Sequence, residues 1–301
     1  MSTTAIAIST ARDRVGESPV WSVAAQALYW VDIEGQRIHR LDWATRVQSS
    51  WALAERVGCI ALSTLGTVIA AMESGIYEVE LQDAPMAHVK CLATVDHPEA
   101  GMRFNDGRCD AQGRLWVGTM VRDMSLASAA GGIYCLDTKG LRGPVLQGYI
   151  TPNGMAFSPD GHTAYLSDSH PSRQTIWKHA FNGTAGTWGP QMEWVDMKPL
   201  PGRPDGAAVD AEGCYWICGN DAGQVHRFSP AGALLQSIAV PVSKPAMCAF
   251  GGPELRHLFV TSIQPAQAVA GFDAALDGAV LVLQPGVQGR AEPLFSQFSV
   301  R

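Results

Sequence analysis

"RFNDGRCDAQGRLWVGTM" (103–120) puts an amide, a carboxylate and a glycine at 105–107 and ends in an apolar run. The end of the stretch decides the fold. "RLWVGTM" (114–120) is followed by "GGIYCLD" (131–137), two aromatic and β-branched runs on either side of a polar link. That is a hairpin pattern. It returns as "ALYWVDIEGQRIHRLD" (27–42), "TVIAAMESGIYEVEL" (67–81), "TAYLSDSHPSRQTIWKHAF" (163–181) and "CYWICGNDAGQVHRFS" (214–229). A sixth copy is "HLFVTS" with "GAVLVLQP", within 257–285. The leading runs start near 28, 67, 115, 164, 215 and 258, in steps of 39 to 51 residues. A strand-only repeat of this period is the signature of a β-propeller with four strands per blade.

Six copies fill the chain, no linker-like composition interrupts them, and helical periodicity is scarce. The sequence therefore predicts an all-β fold: a six-bladed β-propeller with four antiparallel strands per blade, one domain over residues 1–301. The leading "TAIAIS" (4–9) is placed to give the last blade a strand and close the ring.

Composition narrows the function. With 301 residues, 47% of them hydrophobic, the chain can build a large core. A net charge of -6 without any basic run argues against a nucleic-acid partner. "MSTTAIAIST" has no positive n-region, and no apolar run reaches the roughly 18 residues of a membrane span. The expectation is a cytoplasmic protein without membrane contact, a monomer or weak homo-oligomer. Seven cysteines, odd in number and without metal-site spacing, read as free thiols.

The polar residues follow the repeat. Counting back eight from the turn glycines Gly113, Gly161 and Gly213 gives Asn105, Asn153 and Asp205. Counting back twelve from Tyr29 gives Glu17. The second and sixth repeats offer no comparable donor, landing near Gly58 and near Met247 or Cys248. Asn-Gly and Asp-Gly are common turn formers, and any one of these motifs alone reads as a turn. Four at one register place four oxygen-bearing side chains at the start of four innermost strands, beside the central channel. Two carboxylates and two amides confined together ask for a partner. A hard divalent cation suits them: Ca, Mg or Mn, with Zn also compatible. So few protein ligands leave positions for water or substrate.

Strands alternate direction within a blade, so the links between second and third strands share this face. They contain Asp32, Glu73, Asp123, Asp168, His170, Asn220 and Asp221. Single acids in such links read as solvated, Asp123 excepted. The longest links, 121–132 and 262–278, are long enough to fold over the mouth.

"GESPVW", "RFNDGRCDAQGRLWVGTM", "TPNGMAFSPDG", "RPDGAAVDAEGCYW" and "FGGPELRHLFVTS", in order from Gly16 to about Ser262, resemble the senescence-marker-protein/gluconolactonase family, the regucalcin-like sugar lactonases. The resemblance implies a six-bladed propeller that holds one divalent metal ion (Ca, Zn, Mn, Mg or Fe) and hydrolyses a sugar lactone to its aldonic acid. It implies Glu17, Asn153 and Asp205 as metal ligands, with Asp205 also the catalytic base. It implies Arg103 and Asn105 as the substrate-binding pair. After "GTM" (118–120) the animal relatives carry an acidic lid residue; here "VRDM" follows, so Asp123 is the nearest match for substrate binding and Arg122 is a departure. No GxSxG elbow supports a serine nucleophile. The alternative is a calcium-binding propeller scaffold or sensor without catalysis. A propeller hydrolase of aryl esters or organophosphates is disfavoured by the polar "RFND".

Overall fold

The computed structural model describes residues 4–296, which form six four-stranded antiparallel sheets. Strand β1 (Ile6–Ala7) stands apart at the start. Blade one is β2 (Gly16–Ser22), β3 (Ala27–Asp32), β4 (Arg37–Asp42) and β5 (Gln48–Ala52). Blade two is β6 (Val57–Leu62), β7 (Val68–Met72), β8 (Gly75–Leu81) and β9 (Ala87–Thr94). Blade three is β10 (Met102–Cys109), β11 (Leu115–Val121), β12 (Gly131–Asp137) and β13 (Gly140–Tyr149). Blade four is β14 (Pro152–Phe157), β15 (Thr163–Asp168), β16 (Thr175–Asn182) and β17 (Thr187–Asp196). Blade five is β18 (Arg203–Val209), β19 (Tyr215–Asn220), β20 (Gln224–Phe228) and β21 (Leu234–Ala239). Blade six takes β22 (Pro245–Gly251), β23 (His257–Ser262) and β24 (Leu281–Leu283) from the end of the chain, and β1 from its beginning. The expected closure is present: Ile6 pairs with Val282 and Ala7 with Leu281.

Each blade buries both faces of its inner strands against its neighbours, so these strands carry apolar residues almost continuously. Cys59, Ile69 and Ile76 of blade two meet Phe104, Leu115 and Val117 of blade three. Trp216 and Val225 of blade five meet Phe250, Leu258 and Val260 of blade six. Each aliphatic or aromatic side chain so buried contributes about 1.5–3 kcal/mol.

A buried indole needs an acceptor for its N–H, and three blades supply a carboxylate. Trp30 donates to Asp13 at 2.7 Å, Trp116 to Asp110 at 2.7 Å and Trp216 to Asp210 at 2.9 Å. Asp110 and Asp210 also accept the amides of Gln112 and Glu212 and so hold the turns before β11 and β19. Those turns end in Gly113 and Gly213 at φ of 75° and 79°, where glycine is favoured.

The site lies at the end where the innermost strands begin. The opposite end is crossed by the segment after β24. Gly289 bridges to Asp210, Phe295 to Ser63, and Glu292 pairs with Arg108 at 2.9 Å. All seven cysteines are free, and only Cys91 is exposed. No helix among the described residues is long and apolar enough to cross a membrane.

Candidate active site at the propeller axis

In all six blades the register between the innermost strand and its neighbour shifts near the start of the innermost strand. The shifts fall between Glu17 and Val20, Phe104 and Gly107, Asn153 and Ala156, and Pro204 and Ala207. A β-bulge there breaks the strict alternation of side chains and re-aims one residue. Ser18 and Gly154 adopt the left-handed conformation inside two of these bulges, at φ of 49° and 64°. Glu17, Asn105, Asn153 and Asp205 each sit on a bulge, and all four are buried.

Hydrogen bonds link them across blades three to five. Arg103 Nη1 donates to Asn105 Oδ1 at 2.6 Å. Asn105 Nδ2 donates to Asn153 Oδ1 at 3.1 Å and to the Pro152 carbonyl at 3.0 Å. Asn153 Nδ2 donates to Ser169 Oγ at 2.6 Å, and that hydroxyl donates to the carbonyl of Pro204, the residue before Asp205, at 2.5 Å. Asn220 Nδ2 donates to Asp205 Oδ2 at 2.5 Å. Glu17 Oε2 accepts from the Ser18 amide at 2.9 Å.

The two carboxylates are electrostatically uncomfortable. Burial pushes Asp205 up to about 7, against lowering by Arg203 and the Asn220 bond. Burial raises Glu17 well above the usual carboxylate range, and the charges of Asp205 and Asp106 raise it further. Asp106 is itself buried and raised by burial; its Oδ2 accepts the Met155 amide at 2.8 Å, while its Oδ1 has no partner. Among the described residues no three His, Cys, Asp or Glu side chains form a metal-binding group. The axis instead offers the carboxylates of Glu17 and Asp205 and the amide oxygen of Asn153. A carboxylate has about four lone-pair sites and an amide oxygen two. Each of these three side chains accepts a single hydrogen bond, so the donor set is rich in unused oxygen lone pairs and negative charge. That chemistry fits a hard divalent cation.

The loop acids are placed differently from expectation. Asp32 accepts the amides of Arg14, Val15 and Gly35, and Asp168 those of Ile150, Thr151 and His170. They are buried staples that fasten the incoming chain to the second strand, not solvated acids. Glu73 pairs with Arg56 and Arg122, and Asp221 with Arg203 and Lys244. Asp123 is exposed, and its carboxylate caps a short 3-10 turn, Met124–Leu126, by accepting from Ser125. Its hydrogen bonds to Ser125 lower its pKa. The same turn touches the blade-four link, where His170 Nε2 lies 3.3 Å from the Met124 carbonyl oxygen. Sequence reasoning placed Asn220 on this face without giving it a role and missed Ser169; these two orient Asp205 and Asn153. The signal was a polar residue at or just after the end of a second strand, as in "SDS" (167–169) and "GN" (219–220), although blades two and three close theirs on Met72 and Val121.

Fold and site together define a six-bladed propeller with an oxygen-rich, partly charged centre at one end of its axis. The chain belongs to the SMP-30/gluconolactonase/LRE-like family, whose model matches residues 15–264. It is 40% identical over 288 residues to a 6-deoxy-6-sulfogluconolactonase of Pseudomonas putida, covering 94% of this chain and 95% of the relative. It is 32% identical over 253 residues to a pentonolactonase of Haloferax volcanii, covering 83% and 81%. A solved calcium-binding protein, regucalcin, from Agrobacterium tumefaciens superposes with a TM-score of 0.87 at 26% identity, covering 98% of this chain and 97% of that one.

Proposed function

We propose that this protein hydrolyses a sugar lactone to its aldonic acid with the help of one divalent metal ion. The observation that carries this reading is the burial of Glu17, Asn105, Asn153 and Asp205 on bulges of four blades, with Asp205 and Glu17 both pushed up by burial. Family membership and two lactonase relatives support the reaction class. The calcium-binding neighbour supports the metal. Glu17, Asn153 and Asp205 would hold the ion. When bound, it supplies Lewis-acid polarisation of the lactone carbonyl and charge stabilisation for the tetrahedral oxyanion.

The chain's own groups do the rest. Asp205 takes a proton from the attacking water. A nearby cation lowers its pKa, so its part is as much orientation as proton removal. Asn220 holds one Asp205 oxygen, fixing which oxygen faces the reactant. Asn105 and Arg103 hydrogen-bond the sugar's ring oxygen and hydroxyls. Asp123 Oδ1 accepts from the Ser125 amide and hydroxyl, so its other oxygen is the one that would meet the sugar.

The test is a panel of five- and six-membered sugar lactones, the sulfonated sugar of the Pseudomonas relative's name included. Each is assayed with and without chelator, with spontaneous ring opening subtracted. Turnover that disappears on chelation and returns with a divalent ion is the expected result. Full turnover in verified metal-free protein refutes the metal's role. Calcium binding without hydrolysis of any lactone favours the scaffold reading instead.

A further inference from the structure

Blade three breaks the repeat on its innermost strand. The residue paired with the aromatic of the second strand is Val20 in blade one, Ala156 in blade four, Ala208 in blade five and Ala249 in blade six. In blade three that residue is Arg108, opposite Trp116. Two positions earlier, where blades four and five carry Gly154 and Gly206, blade three carries Asp106. Both charged side chains are buried. An apolar residue serves the Arg108 position in those other blades, and a buried charge is costly, so closing the ring does not account for the exception.

The contacts of the two side chains do. Asp106 Oδ2 accepts the amide of Met155 at 2.8 Å, inside the blade-four bulge and two residues beyond Asn153. A bulge leaves a residue out of the ladder, and Asp106 supplies the bond that Met155 lacks there. Arg108 Nη2 donates to the carbonyl of Ala207, where the blade-five bulge ends, two residues beyond Asp205. Arg108 Nη1 lies 2.9 Å from Glu292 Oε1, on the segment after β24 that crosses the opposite end of the axis. A cavity of about 40 Å³ is lined jointly by Arg108, Ala156, Ala208 and Glu292, so this segment lies under the ends of both bulges. Burial works against the Arg108 charge, and Glu292 and Asp106 more than offset it. One guanidinium thus stands between two carboxylates, its charge matched inside the chain.

We propose that Arg108, held by Glu292, is a positioning residue for the bulge that carries Asp205, so that the segment after β24 sets the geometry of the site from the opposite end of the axis. Asp106 does the same for Asn153. This rests on reading Asn153 and Asp205 as metal ligands. Glu292 is not what holds its own segment in place: Gly289 bridges Asp210, and Phe295 is fully buried with its backbone bonded to Leu62 and Thr64. Its carboxylate therefore acts on Arg108 rather than on the path of the segment.

The experiment compares wild type with Arg108→Met, Arg108→Lys, Glu292→Ala and Glu292→Gln. The readouts are Mn²⁺ affinity by calorimetry, kcat and KM for glucono-1,5-lactone at saturating Mn²⁺, and hydrogen exchange of the chelated protein. Arg108→Met should weaken Mn²⁺ binding and lower kcat about tenfold or more, the scale on which lost supporting contacts disturb metal ligands. KM should stay within about threefold, because Arg103 and Asn105 do not depend on the Ala207 carbonyl. Arg108→Lys should recover part of the loss: an ammonium can still donate to that carbonyl but lacks the fork that also meets Glu292. Glu292→Ala should weaken Mn²⁺ binding about threefold or more. Glu292→Gln should weaken it less, since its amide oxygen can still accept from Arg108.

Hydrogen exchange needs neither metal nor substrate. Arg108→Met should speed exchange in β18, residues 203–209, about fivefold or more and leave β2, residues 16–22, within about twofold. If wild type binds no Mn²⁺ and opens no lactone while this local change appears, the anchoring of the Asp205 bulge by Arg108 stands and the metal and lactonase readings fall. Where Arg108→Met does not fold, Glu292→Ala carries the same comparison, because its segment stays anchored. Mn²⁺ affinity and kcat within about twofold of wild type in the folded variant overturn the proposal. So does exchange in 203–209 that is unchanged, or that rises equally in every blade, which would mark a merely structural role.

Discussion

Asp205→Asn should make the metal-free protein more stable while removing its activity. Asp205 is buried beside Glu17, and burial pushes it from the usual 3.8 to about 7. At roughly 1.4 kcal/mol per pKa unit, holding that charge above pH 7 costs the metal-free fold on the order of 4 kcal/mol. Asparagine keeps the shape, removes the charge and can still accept from Asn220 through its carbonyl oxygen. A net gain of about 2–4 kcal/mol is expected. Unfolding entropy for a 301-residue chain is roughly 0.6 kcal/mol per kelvin, so Tm should rise by about 3–6 °C. The sign follows from linkage. The folded state binds this proton more tightly than the unfolded chain, so wild-type stability declines as pH rises from about 4 through 7. The variant's advantage is therefore full near pH 8 and fades toward pH 4. Calorimetric melts of chelated wild type and Asp205→Asn across that range measure it. In metal-loaded protein kcat should fall about a hundredfold or more, because charge and proton acceptor leave together. A chelated variant that melts no higher than wild type at pH 8 would refute the strained-carboxylate argument.

Asn105→Ala removes an uncharged bridge between Arg103 and Asn153. It should cost about 1–3 kcal/mol in kcat/KM, part of it in KM, with metal affinity reduced far less than in Asp205→Ala; steady-state kinetics and metal titration check both. Gly154→Ala should misplace Asn153, because φ there is 64° and a Cβ would stand 2.5 Å from Tyr215 Oη and 2.7 Å from Ser167 Oγ. Metal affinity should drop about tenfold or more and Tm should fall by several degrees, and unaltered metal titration and melting curves would count against the bulge as the device that aims Asn153.

The parts legible in the sequence are those fixed by local chemistry. The repeat placed second strands near 28, 67, 115, 164, 215 and 258; they begin at 27, 68, 115, 163, 215 and 257. Aromatic anchors and Asp-x-x-Gly turns act within a few residues, and both are visible as spacing. Counting back from the turn glycine lands on the buried bulge residues Asn105, Asn153 and Asp205, because a short innermost strand leaves little freedom between turn and bulge. What escaped depends on contacts between blades. Ser169 bonds to the carbonyl of Pro204, 35 positions away in the next blade, and no local pattern announces it. Asp32 and Asp168 looked like solvated loop acids because their partners are backbone amides from the preceding inter-blade connection, whose side chains carry no trace of the bond.

The bulge shows how one scaffold repeated six times yields a site on only part of its circumference. Blades two and six bend at the same place as the others, between Val57 and Cys59 and between Pro245 and Cys248. The bend is therefore a property of the blade, and the site is written by the side chain placed on it. In blade two the position holds Gly58, where any Cβ would run into the carbonyl of Phe104, the residue before Asn105. In blade six Met247 lies against Gly206, the residue after Asp205, and fills the space a Cβ there would need. One blade withdraws its side chain so that Asn105 can be placed, and the other packs an apolar wall beside Asp205. Oxygen donors thus come from blades one, three, four and five. Bulges are relocated with difficulty, whereas the residue on a bulge changes with one codon. On this geometry, substitutions at Gly58 or Met247 reshape the site through Asn105 and Asp205 rather than through any contact of their own with a ligand.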